Sequence, residues 1–201
     1  MIIIFDTETT GLRPGRIIQL SYIMLSDSGA NGKNFFFYTP YIDPSAVQVH
    51  GITPEKLAVL SDGHTFSEYL DEIDDDFRSA SLTVAHNFPF DFSFMTAEFG
   101  YQSRIFHYNE KFDTMRELKS KVGLPAVRGG GFKYPKLTEL ADFYEIFDYD
   151  VTRKSIELFG DGAAGHDARF DVTQTYLSLI AATEKHPDIA EKINIFLKNQ
   201  P

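Results

Sequence analysis

The chain opens on Met1-Ile2-Ile3-Ile4-Phe5-Asp6-Thr7-Glu8, an apolar run that passes directly into two carboxylates one residue apart. A short apolar run bounded by polar residues reads as a buried strand. Side chains alternate along a strand, so Ile2, Ile4, Asp6 and Glu8 share one face if the strand reaches that far. The Cα atoms of Asp6 and Glu8 are then about 6.6 Å apart. Two carboxylates that close repel each other, and burial beside an apolar run makes ionisation harder still. A cation or a proton must sit between them. Hard oxygen donors at this spacing suit Mg²⁺ or Mn²⁺. The alternative is a strand running out into solvent with two surface acids.

The 201 residues, 43% of them hydrophobic, are enough for one sizeable core and imply a single domain over 1–201. There is no Cys, which excludes disulfides, thiolate metal sites and cysteine nucleophiles. No stretch approaches the roughly 20 apolar residues of a membrane span. The N-terminus lacks the basic region and cleavage site of a signal peptide. A soluble cytoplasmic protein, with no membrane partner, is the expectation. The net charge of −10 argues against a surface that coats nucleic acid by charge alone. It leaves room for an enzyme whose positive charge comes from metal ions. The charge is unevenly spread. Residues 118–138 hold Lys119, Lys121, Arg128, Lys133 and Lys136 and no acid, whereas Asp71–Asp76 is almost wholly acidic and reads as a solvated helix face.

Residues 1–6, 16–25 and 33–40 read as three antiparallel strands in meander order, with turn residues at 26–32 between the last two. Phe66, Tyr69, Leu70, Ile73 and Phe77 recur at helical spacing. A short strand at 81–87 leads to a helix at 90–100, ended by Gly100. Residues 104–115 contain a strand and a helix start, and 136–146 form a short amphipathic helix. Helices near 168–184 and 187–199 finish the chain, and 127–135 is the best loop. Strands first and alternating elements later imply an α/β fold with a mixed sheet.

Further acids stand at element starts. Asp91 follows a strand, near Asn87 and Pro89. Asp171 lies early in a long helix, with His166 five residues before it. Five residues do not return to one helix face, so His166 must lie on the loop leading in, folded toward Asp171. Alone, an Asp at a helix start is more often a cap or a dipole partner than a ligand.

Together these residues resemble the DnaQ-like, or DEDDh, 3′–5′ exonucleases. The first motif is Phe5-Asp-Thr-Glu-Thr-Thr-Gly-Leu12, the second Ala85-His-Asn-Phe-Pro-Phe-Asp-Phe-Ser-Phe-Met95, and the third His166-Asp-Ala-Arg-Phe-Asp171. Val49–Thr53 and Phe112–Met115 add support. The resemblance implies a ribonuclease H-like fold: a central mixed five-stranded sheet, its first three strands antiparallel, flanked by helices. It implies hydrolysis of DNA or RNA from the 3′ end, releasing nucleoside 5′-monophosphates. Asp6, Glu8, Asp91 and Asp171 would bind two divalent cations, Mg²⁺ or Mn²⁺, and His166 would be the general base. Thr9 and Leu12 match positions that contact the terminal nucleotide, and His50 borders the same pocket. The implied partners are single-stranded or frayed 3′ ends, with a polymerase or a second copy as protein partner. The Arg128–Gly131 loop has no counterpart, and Pro89 stands where a small residue is commoner. Phe88, Phe90 and Phe92 could stack on bases or belong to the core.

Two other readings compete. Haloacid-dehalogenase-type phosphatases also begin with a strand and Asp-x-Asp-x-Thr, and residues 160–167 offer a late Gly-Asp. Position 8 is Glu where that class has Asp, and the second and third motifs go unexplained. An inactive nucleic-acid-binding domain of the same fold usually lacks a carboxylate or the histidine, and here all five are present.

Overall fold

The first strand, β1 (Ile2–Thr9), is buried along nearly its whole length because both faces of the sheet are covered. In the computed structural model, which describes residues 1–160, 163 and 165–198, β1 pairs antiparallel with β2 (Ile17–Ser26), and β2 with β3 (Gly29–Phe36). Helices α1 (Pro44–His50), α2 (Pro54–Leu60) and α3 (Leu70–Ser79) follow, with a 3₁₀ turn at Phe66–Glu68 before α3. Strand β4 (Leu82–Ala85) then runs parallel to β1 and leads into α4 (Phe88–Tyr101). Strand β5 (Glu110–Asp113) runs parallel to β4. The chain continues through α5 (Thr114–Glu117), α6 (Lys119–Val122), α7 (Leu137–Phe143), α8 (Asp148–Phe159), α9 (Ala168–Lys185) and α10 (Pro187–Lys198). The sheet order is β3-β2-β1-β4-β5.

The alternation of β1 divides the core. Ile2 and Ile4 pack with Val172 and Leu179 of α9, together with Leu82 and Val84. Ile3 and Phe5 pack on the other face with Phe77, Phe88, Phe94 and Phe99. Phe5 meets both Phe77 and Phe88 edge-on. Strands β1, β4 and β5 are mutually parallel, so their carboxyl ends lie along one edge of the sheet. In open α/β sheets that edge is where ligands bind.

Several expectations need correction. The third strand starts and ends earlier than 33–40, because the β2–β3 turn is only Asp27-Ser28 and Ala30–Gly32 pair within the ladder. Gly100 does not end its helix. It has no positive φ, and α4 runs on to Tyr101. Helices α1, α2, α6 and α8 escaped the sequence reading. Their first turns are set by Asp43 and Thr53 caps in α1 and α2, while α6 is a single turn. The acidic run 71–76 is only partly a solvated face. Asp74 is buried and paired with Arg78 and Arg104, and Asp76 accepts from Tyr22 and Lys33. Residue 199 of the last helix lies outside the described residues, as do Asp161, Gly162 and Ala164.

Candidate active site

Strand β1 does extend past Glu8, which puts Asp6 and Glu8 on the α9 face at the carboxyl end of the sheet. The ladder to β2 shifts register between Glu8 and Thr9. Such an irregularity re-aims the side chains after it. Asp171 comes down from the first turn of α9 to meet the pair. One carboxylate oxygen from each of Asp6, Glu8 and Asp171 lies within 4.8 Å of the others. Asp91 approaches from the first turn of α4, on the opposite face of β1. Its Oδ1 accepts from Thr7 N–H at 3.1 Å and from Thr7 Oγ1 at 2.7 Å.

The four acids act on one another. Burial raises Asp6 well above the ordinary carboxylate value, and Asp91, Asp171 and Glu8 reinforce the rise. Burial, then Asp171, pushes Glu8 to about 9. Burial also lifts Asp91 to about 7, against the Thr7 hydrogen bonds. Asp171 rises to about 6 through burial, against the nearby His166. Without a cation this cluster holds protons near neutral pH. The donor set is all carboxylate oxygen, which fits Mg²⁺ or Mn²⁺ and does not select a soft metal.

His166 stands on the residues leading into α9, close enough to Asp171 to favour its charged form. Its φ of 61° is left-handed, a conformation uncommon outside glycine. The same entry is fixed by two residues the sequence reading passed over. Asp167 caps α9, accepting from Arg169 N at 3.0 Å and from the Arg169 side chain. Gln19, fully buried on β2 opposite Glu8, donates to Asp167 at 2.9 Å and accepts from Ala168 N at 3.2 Å. Gln19 sat inside an apolar run, and an uncharged polar residue in a buried strand is the signal that could have found it.

Thr9, Leu12 and His50 line a cavity of about 320 Å³ with Thr7, Glu8, Val49 and Phe90. Leu12 is 87% exposed on the loop after β1, which the buried Glu98 pins through Arg16 and Ile17 N. Ring Nδ1 of His50 accepts from Ile52 N at 3.1 Å. Burial lowers its pKa, and the Thr9 backbone works against that. Of the three phenylalanines around Asp91, Phe90 faces this cavity. Phe88 is core, and Phe92 packs on Phe88, Phe106 and Tyr108.

The second motif is braced from β5. Asp113 accepts from Asn87 N at 3.0 Å and Met115 N at 3.1 Å, tying the end of β4 to α5. His86 bridges Thr114 Oγ1 at 3.0 Å and the Pro135 carbonyl at 3.1 Å. Pro89 sits in the first turn of α4, where a missing N–H costs nothing.

This sheet, with its acids gathered at the carboxyl ends of β1 and its flanking helices, is a ribonuclease H-like fold. A family model described as Exonuclease (RNase_T) matches residues 3–176, and the chain belongs to that family, within its DnaQ-like DEDDh group. Relatives include the DNA polymerase III subunit epsilon of Salmonella typhimurium, 36% identical over 154 residues, covering 72% of this chain and 60% of that one. The Pasteurella multocida subunit is 37% identical over 107 residues, 48% of this chain and 41% of its own. The chain thus spans less than two thirds of these relatives' length. Among solved structures, the zinc-bound E. coli ExoI–ssDNA complex superposes with a TM-score of 0.67 at 19% identity, over 96% of this chain and 42% of that one. The nuclease domain of 3′hExo bound to rAMP gives 0.51 at 13% identity, over 92% of each chain. The phosphatase alternative falls with the family match. Its late Gly-Asp stretch includes residues outside those described.

Proposed function

We propose that residues 1–201 form one exonuclease domain that removes nucleotides from the 3′ end of a nucleic acid strand as 5′-monophosphates. The observation that carries this reading is the convergence of Asp6, Glu8 and Asp171 beside a cavity of about 320 Å³. Asp6, Glu8, Asp91 and Asp171 are the residues that would hold two divalent cations. Such a pair neutralises phosphate charge and acidifies water.

The remaining steps belong to the chain. Thr9, Leu12 and His50, with Phe90, hold the last nucleoside against Glu8. Thr7 fixes one oxygen of Asp91. His166 takes the proton of the attacking water as the general base. Hydrolysis leaves a new 3′ hydroxyl, and the strand advances by one residue.

The epsilon relatives carry the name of a polymerase subunit, so a polymerase, or a second copy of the chain, is the protein partner to test. The test of the activity itself uses 5′-labelled single-stranded DNA and RNA with Mg²⁺, Mn²⁺ or EDTA. A ladder shortening from the 3′ end, lost in EDTA and in Asp6→Ala, is expected. Metal-independent cleavage would overturn the reading. No cleavage alongside retained strand binding would favour an inactive binding domain.

A further inference from the structure

The chain as a whole carries −10, yet Lys111–Lys136 holds seven cations against two acids. This segment begins within β5 and runs on from it, and β5 lies two strand spacings from β1, or roughly 10 Å across the sheet. Its residues 124–133 fold back on themselves. Pro125 bridges to Phe132, Ala126 N donates to Gly131 O at 3.0 Å, and Lys133 N donates to Leu124 O at 2.9 Å. Gly129, Gly130 and Gly131 all have positive φ, which lets the tip turn sharply.

Four of these cations fall into two groups. Lys121 is spent on Asp188 at 2.9 Å, and Lys133 pairs with Glu139. Lys119 and Arg116 gather instead around one ring. The Lys119 ammonium lies 4.1 Å from the centroid of Tyr134, and the Arg116 guanidinium 5.8 Å. Tyr134 is 48% exposed, so part of it stays open although both cations lie over the ring. Arg116 also touches Asp113 at 3.3 Å, the residue that braces Asn87 at the start of α4. On the other side, Pro135 is bolted to His86. The ring is therefore held in fixed relation to the Asp91 end of the site.

We infer that Tyr134, Lys119 and Arg116 form a docking patch for the single strand upstream of the nucleotide being removed. The inference rests on the exonuclease reading above. An aromatic face accepts any base by stacking, and flanking cations take the adjoining phosphates. At about 3.4 Å per stacked nucleotide, the distance from β1 to β5 corresponds to roughly three residues of strand. On a strongly acidic protein, charge complementarity favours a polyanion at this patch and nowhere along Asp71–Asp76.

The test is fluorescence-anisotropy binding of a labelled 12-nucleotide DNA strand and of a trinucleotide, in Ca²⁺, to wild type, Tyr134→Phe, Tyr134→Leu, Lys119→Gln and Arg116→Gln. Tyr134→Leu is expected to weaken the 12-mer about tenfold, with Tyr134→Phe close to wild type. The trinucleotide should bind all of them alike. Each lost cation should make the salt slope of log K shallower by about 0.7. Unchanged 12-mer affinity and salt slope in the variants, or no strand binding by wild type, would overturn the patch. Tyr134-dependent binding by a wild type that fails to cleave keeps the patch and sinks the exonuclease reading. Melting temperatures of the variants separate a docking loss from a folding loss.

Discussion

Asp91 accepts two hydrogen bonds from one residue, Thr7, whose backbone N–H lies 3.1 Å and whose hydroxyl 2.7 Å from the same carboxylate oxygen. Thr7 points to the face of β1 opposite Asp6 and Glu8, so β1 supplies two acids on one side and holds a third from the other. Thr7→Val keeps the shape and removes the hydroxyl donor. A hydrogen bond to a charged group contributes about 1.5–3 kcal/mol. The expected result is a several-fold higher Mg²⁺ requirement and a fall in kcat of about tenfold, read from metal titrations of initial rate. An unchanged metal requirement would show that Asp91 needs no such tether.

The acidic cluster makes metal-free stability depend on pH in an unusual direction. Glu8 rises from 4.5 to about 9, Asp91 to about 7 and Asp171 to about 6. Each then binds more protons folded than unfolded, so unfolding free energy falls as pH rises from the ordinary carboxylate range through these values. The Tm in EDTA should drop between about pH 5 and 9. Saturating Mg²⁺ should raise Tm most at the alkaline end. Glu8→Gln should melt higher than wild type in EDTA at pH 8 and lose the Mg²⁺ effect. Thermal melts across pH, with and without metal, decide it. A Tm in EDTA that is flat over this range would mean the acids are not crowded in solution.

The strand, the carboxylate pair and the third acid were legible because each follows from a short-range rule: alternation in β1, a helix start at Asp171, a lead-in loop for His166. What escaped depends on long-range partners. Gln19 and Asp167 lie 148 positions apart and meet only when β2 packs against the start of α9. The burial of Asp74 depends on Arg104, from a different element. Helix α8 has ordinary helical composition, but its end presses on Gly32. A Cβ there would come within 2.8 Å of the Leu158 carbonyl. In sequence Gly32 looked like part of a turn. In the fold it is the gap in β3 that admits α8.

Phe90 and Phe88 are two residues apart and have opposite surroundings, which separates binding from folding. Phe90 borders the cavity with Thr9 and Leu12, whereas Phe88 is 2% exposed and packs on Phe5. Phe90→Ala should raise KM for a single strand about tenfold while leaving kcat within about threefold, since stacking on a base contributes about 1–3 kcal/mol. Phe88→Ala should cost about 3–5 kcal/mol of stability, the range for emptying a buried aromatic site. Steady-state kinetics and denaturant melts on both variants check this. A KM effect from Phe88 without a stability loss would mean the site's walls have been assigned to the wrong ring.

His166 lies on the loop leading into α9 with a left-handed backbone, near Asp171, and is not one of the three acids whose oxygens converge. His166→Ala should therefore keep metal affinity, read by Mn²⁺ titration, while the rate falls on the order of 10²–10⁴-fold, the usual contribution of a general base. The pH–rate profile tests the role more sharply than the rate alone. Wild type and the alanine variant should differ in the shape of that profile, because only wild type carries a ring that can accept the water's proton. The alanine variant should rise steadily with hydroxide and narrow its deficit at high pH. His166→Asn, which can hydrogen-bond but cannot take a proton, should behave as alanine does. If asparagine restores the rate, His166 orients water without accepting its proton, and the base must be sought elsewhere in the cluster.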